Sequence, residues 1–332
     1  MIWKEINYFL EKNMKTMKKT KKPTRTEMLP LEYQDVRVRA DGSTQLIPDF
    51  KRSISEYADL FREMPRAFFE SIELLTFSGH KIEVSNQYMQ GRYKSAIVYL
   101  LQGNLSGKEI CPNRTASCSD GCLGTHSGQA EIVKKGNVTN SVQLARLAKT
   151  IMLEKHKDLF LEKLFVELTK LENKAIKEGV GLGFRFNGTS DLNFHKYVIP
   201  SLGITFMEHF SSIKFYDYTK NAHKATLYAK GKLPSNYDVV YSYTPENHST
   251  AEAMLKMGVN VATAFATKKQ SELDNKTFLG AELVSGDAHD LRFVEYNEEN
   301  KKGVIISLTA KGHGYKKDTS GFFVRTSILE NK

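Results

Sequence analysis

From Gly181 onward the sequence is divided into short apolar runs, and this division constrains the fold more than any other feature. The runs are GLGFRF from Gly181, IKFYDY from Ile213, DVVYSY from Asp238, NVATAFA from Asn260, AELVSG from Ala281 and GVIISLTA from Gly303. Each is too short for a helix and ends in glycine or polar residues, the pattern of a buried strand. Ser95 to Leu101 (SAIVYLL) is a similar run upstream and brings the candidate strands to seven. Helical segments fit between several of them, notably Leu192 to Leu202 and Ser249 to Gly258, the latter opening at a serine or threonine cap and closing at glycine. Strands alternating with helices imply a parallel sheet. Seven is close to the number needed for a complete or partly open (β/α) barrel, with a doubly wound open sheet as the alternative.

Between the first run and the rest, Ser141 to Gly179 carries Leu144, Leu147, Ala148, Leu159, Leu161, Leu164, Phe165 and Leu168 at helical spacing, with Lys and Glu between them. Two or three helices fit there, stopped by Gly179. Ile54, Tyr57, Leu60 and Phe61 place another helix at Ser53 to Met64. Residues 1–52 read as an extension to an α/β domain at 53–330. The extension comprises a short amphipathic helix at Ile2 to Leu10, a basic, disordered tail with Lys15, Lys18, Lys19, Lys21, Lys22 and Arg25, and a turn at Asp41-Gly42. The tail contributes to a net charge of +10 and either attracts polyanions or is simply solvated. No apolar stretch reaches the length of about 18 residues that a membrane span needs, and charges interrupt the N-terminal apolar residues where a signal peptide needs an unbroken run. A cytoplasmic protein with no membrane partner is expected.

All three cysteines, Cys111, Cys118 and Cys122, lie in one loop after the first candidate strand, separated by six and then three residues. An odd number of thiols in one loop suits a shared ligand better than a disulfide framework. Three thiolates leave one ligand position open. For zinc the fourth would be His126 or water, and for a four-iron, four-sulfur cluster the fourth iron would be free to bind a small molecule. Three unligated thiols are the plain alternative.

In a parallel barrel the ligand site lies at the C-terminal strand ends, where the loops converge. Polar residues recur there: Asn187, Gly188, Thr189, Ser190 and Asp191; Asp217, Tyr218, Thr219 and Lys220; Ser242, Tyr243 and Thr244; Gly286, Asp287, His289 and Asp290; and Lys311. Asp217, Lys220, Asp287 and His289 are the catalytic candidates, since carboxylates can tune a histidine that titrates near neutral pH. Asn187, Thr189, Ser190, Asp191, Tyr218 and Lys311 are candidates for holding a substrate or cosubstrate. Asn-Gly and Ser-Asp are also ordinary turn and cap chemistry, and most lysines face water.

The stretches ICPNRTASCSDGCLGTHSG, RFNGTSDL, FYDYTKN, GDAHDLRF and TAKGHGYKKDTSGFF, in this order, resemble the gene product eighty-eight family of bacteriophage and prophage proteins. That resemblance implies a phage origin and a host-cell setting and supplies no reaction. The cysteine loop by itself resembles the cluster loop of radical S-adenosylmethionine proteins, in which three cysteines after the first barrel strand hold a four-iron cluster. It differs from that pattern in its cysteine spacing. That second resemblance implies a radical reaction with S-adenosylmethionine as cosubstrate. The leading expectation is therefore a phage iron–sulfur enzyme acting on a nucleotide or nucleic acid. Its rivals are a nucleic-acid-binding protein for replication or host takeover, with a structural zinc, and an inhibitor of host defence.

Overall fold

The computed structural model describes residues 23–77, 79–126, 139–294, 303–311 and 314–332. The expected helix at Ile2 to Leu10 and the tail lysines from Lys15 to Lys22 lie outside the described residues. Two compact units divide the chain, Met1–Asp49 and Phe50–Lys332. In the first, β1 (Gln34–Val38) and β2 (Thr44–Pro48) form an antiparallel hairpin. Asp41 closes its turn by accepting from the Ser43 N–H at 2.9 Å, and Gly42 takes a φ of 80° that a side chain would resist.

The second unit begins with α1 (Ile54–Glu63), which is fixed by a capping box: Ser53 accepts from the Glu56 N–H while the Glu56 carboxylate accepts from the Ser53 N–H. Next come α2 (Arg66–Glu70), β3 (Leu75–Thr76), α3 (His80–Tyr88) and β4 (Tyr93–Val98). After the cysteine loop with α4 (Ala116–Asp120) and α5 (Leu123–His126), two long helices follow, α6 (Ser141–Lys155) and α7 (Lys157–Glu178). They are separated where His156 leaves helical geometry, and α7 stops at Gly179, whose φ of 68° is the left-handed cap conformation.

The remaining elements are β5 (Gly181–Arg185), α8 (Phe206–His209), β6 (Lys214–Thr219), α9 (Ala222–Ala229), β7 (Tyr237–Ser242), α10 (His248–Lys256), β8 (Val261–Phe265), β9 (Lys276–Phe278), β10 (Ala281–Ser285), β11 (Ile305–Thr309) and β12 (Glu330–Asn331). They build one ten-stranded sheet in the order β12-β9-β10-β11-β8-β7-β6-β5-β4-β3. The seven strands from β10 to β4 run parallel and coincide with the seven apolar runs.

Two expectations change. The sheet has two ends, β3 and β12, so it is not a closed barrel. Antiparallel β3 covers β4 and antiparallel β9 covers β10, so the strands that closure would join already have partners. In Leu192 to Leu202 only a single 3₁₀ turn forms, Phe194–Lys196. Pro200 disfavours helical geometry before it, and Gly203 at φ 72° lets the chain turn back so that Val198 bridges Thr205.

Each step from β4 to β8 moves to the adjacent strand, and right-handed crossovers of that kind keep the helices on one face. There Tyr241, Val261, Phe265 and Ile305 pack with Ala251, Met254 and Leu255 of α10 and Ala225 of α9. On the opposite face Tyr216 packs with Met89 and Leu291, beside Tyr93 and Phe293. Because both faces are covered, the strands need apolar residues at successive positions, which is why they are visible as runs.

Candidate functional site

The cysteine loop leaves β4 at its C-terminal end and is fastened to neighbouring strand ends. The Asp191 N–H beyond β5 donates to the Ile110 carbonyl at 3.0 Å. Beyond β7, Glu246 accepts from the Ser117 N–H at 2.8 Å and from the Ser117 hydroxyl at 2.6 Å, while Thr115 Oγ1 lies 3.2 Å from Thr244 Oγ1. Thr115 also caps α4 by accepting from the Cys118 N–H at 3.2 Å. Two glycines permit close packing: a Cβ at Gly121 would fall 2.2 Å from the Phe322 ring, and one at Gly124 would fall 2.8 Å from the Gln102 side chain.

Cys111, Cys118 and Cys122 are free, partly buried thiols. Cys111 Sγ donates to the Thr189 carbonyl at 3.7 Å, and burial pushes its thiol up to about 12, opposed by the Gly103 backbone and reinforced by Cys122, Asp191 and Cys118. Cys111 therefore lies within electrostatic reach of Cys118 and Cys122. A bound cation would reverse this and favour thiolates. Among the described residues, no three His, Cys, Asp or Glu side chains converge closely enough to hold a metal ion. The donor chemistry suits zinc or an iron–sulfur cluster, but ligation requires the loop to draw in around the group. The side chain of His126 lies outside the described residues.

Behind the loop stands Arg146 of α6. Its Nε and Nη1 are buried without a hydrogen-bond partner among the described residues, and its guanidinium carbon lies 5.0 Å from the Tyr99 ring centroid. Burial lowers its pKa, while Tyr99 and Cys122 act to raise it. Buried donors are normally paired, so these two N–H groups keep hydrogen-bonding capacity that no described residue uses.

The rim residues fall into separate groups. On the helix side Asn187 is saturated: its N–H and Nδ2 donate to Asp217 at 2.9 and 2.8 Å, Nδ2 also reaches the Leu192 carbonyl, and Oδ1 accepts from Ser190 and the Leu192 N–H. Asp217 accepts in addition from Tyr237 at 3.1 Å, and burial raises its pKa despite Lys224 and these donors. Asp191 pairs with the buried Lys224 at 3.1 Å and accepts from Thr219 and the Lys220 N–H. Thr189 donates to the Leu100 carbonyl. These groups knit the strand ends together. Lys220 Nζ has no partner among the described residues and remains available at this rim.

Tyr218 points to the other face, into a buried charge cluster. Arg185 lies over its ring at 4.4 Å and pairs with Asp290 at 3.1 Å, while Arg292 donates to the Tyr218 oxygen and to the Gly286 carbonyl and stands 3.7 Å from Asp290. Burial raises the Tyr218 phenol well above its usual range. His289 lies against Tyr88 with ring centroids 4.3 Å apart and the rings tilted by 34°, and burial, then Arg292, push it down to about 4, so the imidazole is neutral at pH 7. Asp287 joins a different group: it accepts from the Thr309 N–H at 2.9 Å and pairs with Lys311 at 2.9 Å. Thus Asp287 and His289, two positions apart in sequence, serve different partners.

Arg146, Arg185, Arg292 and Glu246 were not candidates from sequence. Arg185 carried a signal, because an arginine inside an apolar strand run must find a buried partner. Arg146 carried none, since a lone arginine on a helix reads as a solvated side chain.

A mostly parallel sheet with its polar groups and cysteine loop gathered at the C-terminal strand ends defines an α/β protein with a loop-built site. The chain belongs to the Gene product 88 family, whose model matches residues 74–326. That match runs from the start of the ten-stranded sheet past β11. Neither a curated protein nor a solved structure matches the chain, and no helix among the described residues is long and apolar enough to cross a membrane.

Proposed function

We propose that this protein is a phage-encoded iron–sulfur enzyme of the radical S-adenosylmethionine type, built on a partly open (β/α) barrel and acting on a nucleotide or nucleic acid in the host cytoplasm. One observation carries the proposal: three free thiols follow the first parallel strand, at the end of the sheet where ligands bind, and Arg146, whose Nε and Nη1 find no partner among the described residues, interacts electrostatically with Cys122. Cys111, Cys118 and Cys122 would hold the cluster, which when bound supplies one-electron reduction of a sulfonium cosubstrate. Arg146 would donate Nε and Nη1 to an acidic group of the ligand. Lys220 would meet a phosphate or carboxylate arriving over the rim. Ser117, Thr115 and Glu246 hold the loop against the sheet, and Asn187 with Asp217 keeps the Thr189–Asp191 turn rigid beneath it.

Anaerobic purification followed by measurement of iron, sulfide and zinc tests this. About four irons with matching sulfide, visible colour, and loss of both in Cys118→Ala are expected. One zinc per chain without colour would sink the radical mechanism and favour a nucleic-acid-binding protein with a structural metal.

A further inference from the structure

A cavity lies away from the cysteine loop, at the outer edge of β4. Antiparallel β3 covers only the end of that strand, with Leu75 opposite Val98 and Thr76 opposite Ile97. The edge from Tyr93 to Ala96 has no strand beside it among the described residues. A cavity of about 670 Å³ opens there, bounded by Lys94 and Ser95 of β4, Asn86 of α3, Glu73, Phe77, and one side of α7 that carries Lys163, Glu167, Lys170 and Lys174. That volume falls within the range of small-ligand sites, about 300–1,000 Å³.

The chemistry of the wall is specific. Ser95 is only 5% exposed, yet its Oγ makes no hydrogen bond, and Asn86 Oδ1 is likewise buried and unpaired. Unmade bonds at buried polar atoms mark places where a partner is missing. On α7, Lys170 and Lys174 stand one turn apart and form no ion pair among the described residues, whereas the other two lysines are already engaged, Lys163 with Glu167 and Lys94 with Glu178. Phe77 is 52% exposed, a large aromatic ring left open to a planar group.

We propose that this cavity binds a nucleoside phosphate: the phosphate between Lys170 and Lys174, the base against Phe77, and a hydroxyl or amino group of the ligand on Asn86 Oδ1 and Ser95 Oγ. The inference is independent of what the cysteine loop holds.

Titration calorimetry on the full-length protein tests it, using AMP, ATP, inorganic phosphate and a short single-stranded oligonucleotide without a terminal phosphate. One saturable site for AMP or ATP is expected. Binding should weaken roughly tenfold or more in Lys170→Gln/Lys174→Gln, because each charge-assisted bond is worth more than about 1.4 kcal/mol. Ser95→Ala should weaken it less, and Lys177→Gln, on the same helix outside the cavity, should leave it unchanged. Thermal unfolding of each variant separates loss of the site from loss of fold, since Lys170 and Lys174 are exposed. Three outcomes would overturn the proposal: no saturable nucleotide binding, inorganic phosphate binding as tightly as AMP, or binding only of the oligonucleotide.

Discussion

The Asn187–Asp217 network and the cysteine loop occupy the same end of the same sheet, yet they differ in what they leave unpaired. In the first, all the hydrogen-bonding capacity of Asn187 is used within the fold, and Asp217 collects three donors. In the second, none of the three thiols is in a disulfide, only the Cys111 thiol makes a hydrogen bond among the described residues, to the Thr189 carbonyl, and Arg146 holds two buried N–H groups with no acceptor among those residues. Polar residues at a strand end are therefore of two kinds. Those with every bond made support the backbone, and those with bonds left over are available to a ligand. The Arg185–Asp290–Arg292 cluster on the opposite face belongs to the first kind, with two guanidinium groups sharing one carboxylate.

That contrast is broken most readily where a charge is stranded. Asp290→Ala removes the carboxylate that Arg185 and Arg292 share and should cost about 3–5 kcal/mol of stability in urea unfolding. A loss under 1 kcal/mol would mean that the cluster is solvated. Asp217→Ala removes the acceptor for Asn187 and Tyr237 and should cost about 2–3 kcal/mol, while any metal found in the wild-type protein should be retained per folded chain. If the metal disappears while the fold persists, Asp217 belongs to the site.

Arg146→Leu should have the opposite sign. It removes an unpaired buried cation, so the metal-free protein should gain about 1 kcal/mol in the same unfolding measurement. A loss instead would show that Arg146 has a structural partner. The smallest effect concerns pH. Partial burial raises the Glu246 carboxyl, but the Ser117 hydroxyl and N–H outweigh this and hold it at about 2. A depressed carboxylate adds stability above its unfolded value, about 4.3, and loses it as pH falls through the folded value. Wild-type protein should therefore lose stability between about pH 4.3 and 2 more steeply than Glu246→Gln, as followed by unfolding at each pH. Equal slopes would show that the loop is not fastened by this pair.

Much of the fold was legible because the parallel strands are buried on both faces and must be apolar without interruption. GLGFRF and GVIISLTA announce strands for that reason. Helix ends were legible where one residue sets the geometry, as at Ser53 and Gly179. The segment at Leu192 to Leu202 misled because its apolar spacing suits a helix while Pro200 and Gly203 turn the chain back. At the site, the cysteines and most rim residues could be named from sequence. Their division into supporting and available groups could not, since it depends on partners such as Tyr237, which lies 20 residues along the chain from Asp217.

The sequence by itself determined that strands and helices alternate, which runs become parallel strands, and that the thiols share one loop. These follow from local periodicity and covalent spacing. Only the tertiary structure decided that β3 and β12 end the sheet and leave it unclosed, that Asp287 and His289 part company, and that Arg146 keeps two buried N–H groups without a partner among the described residues. Those outcomes depend on which distant groups meet, and hydrogen-bond saturation and burial exist only once they have met.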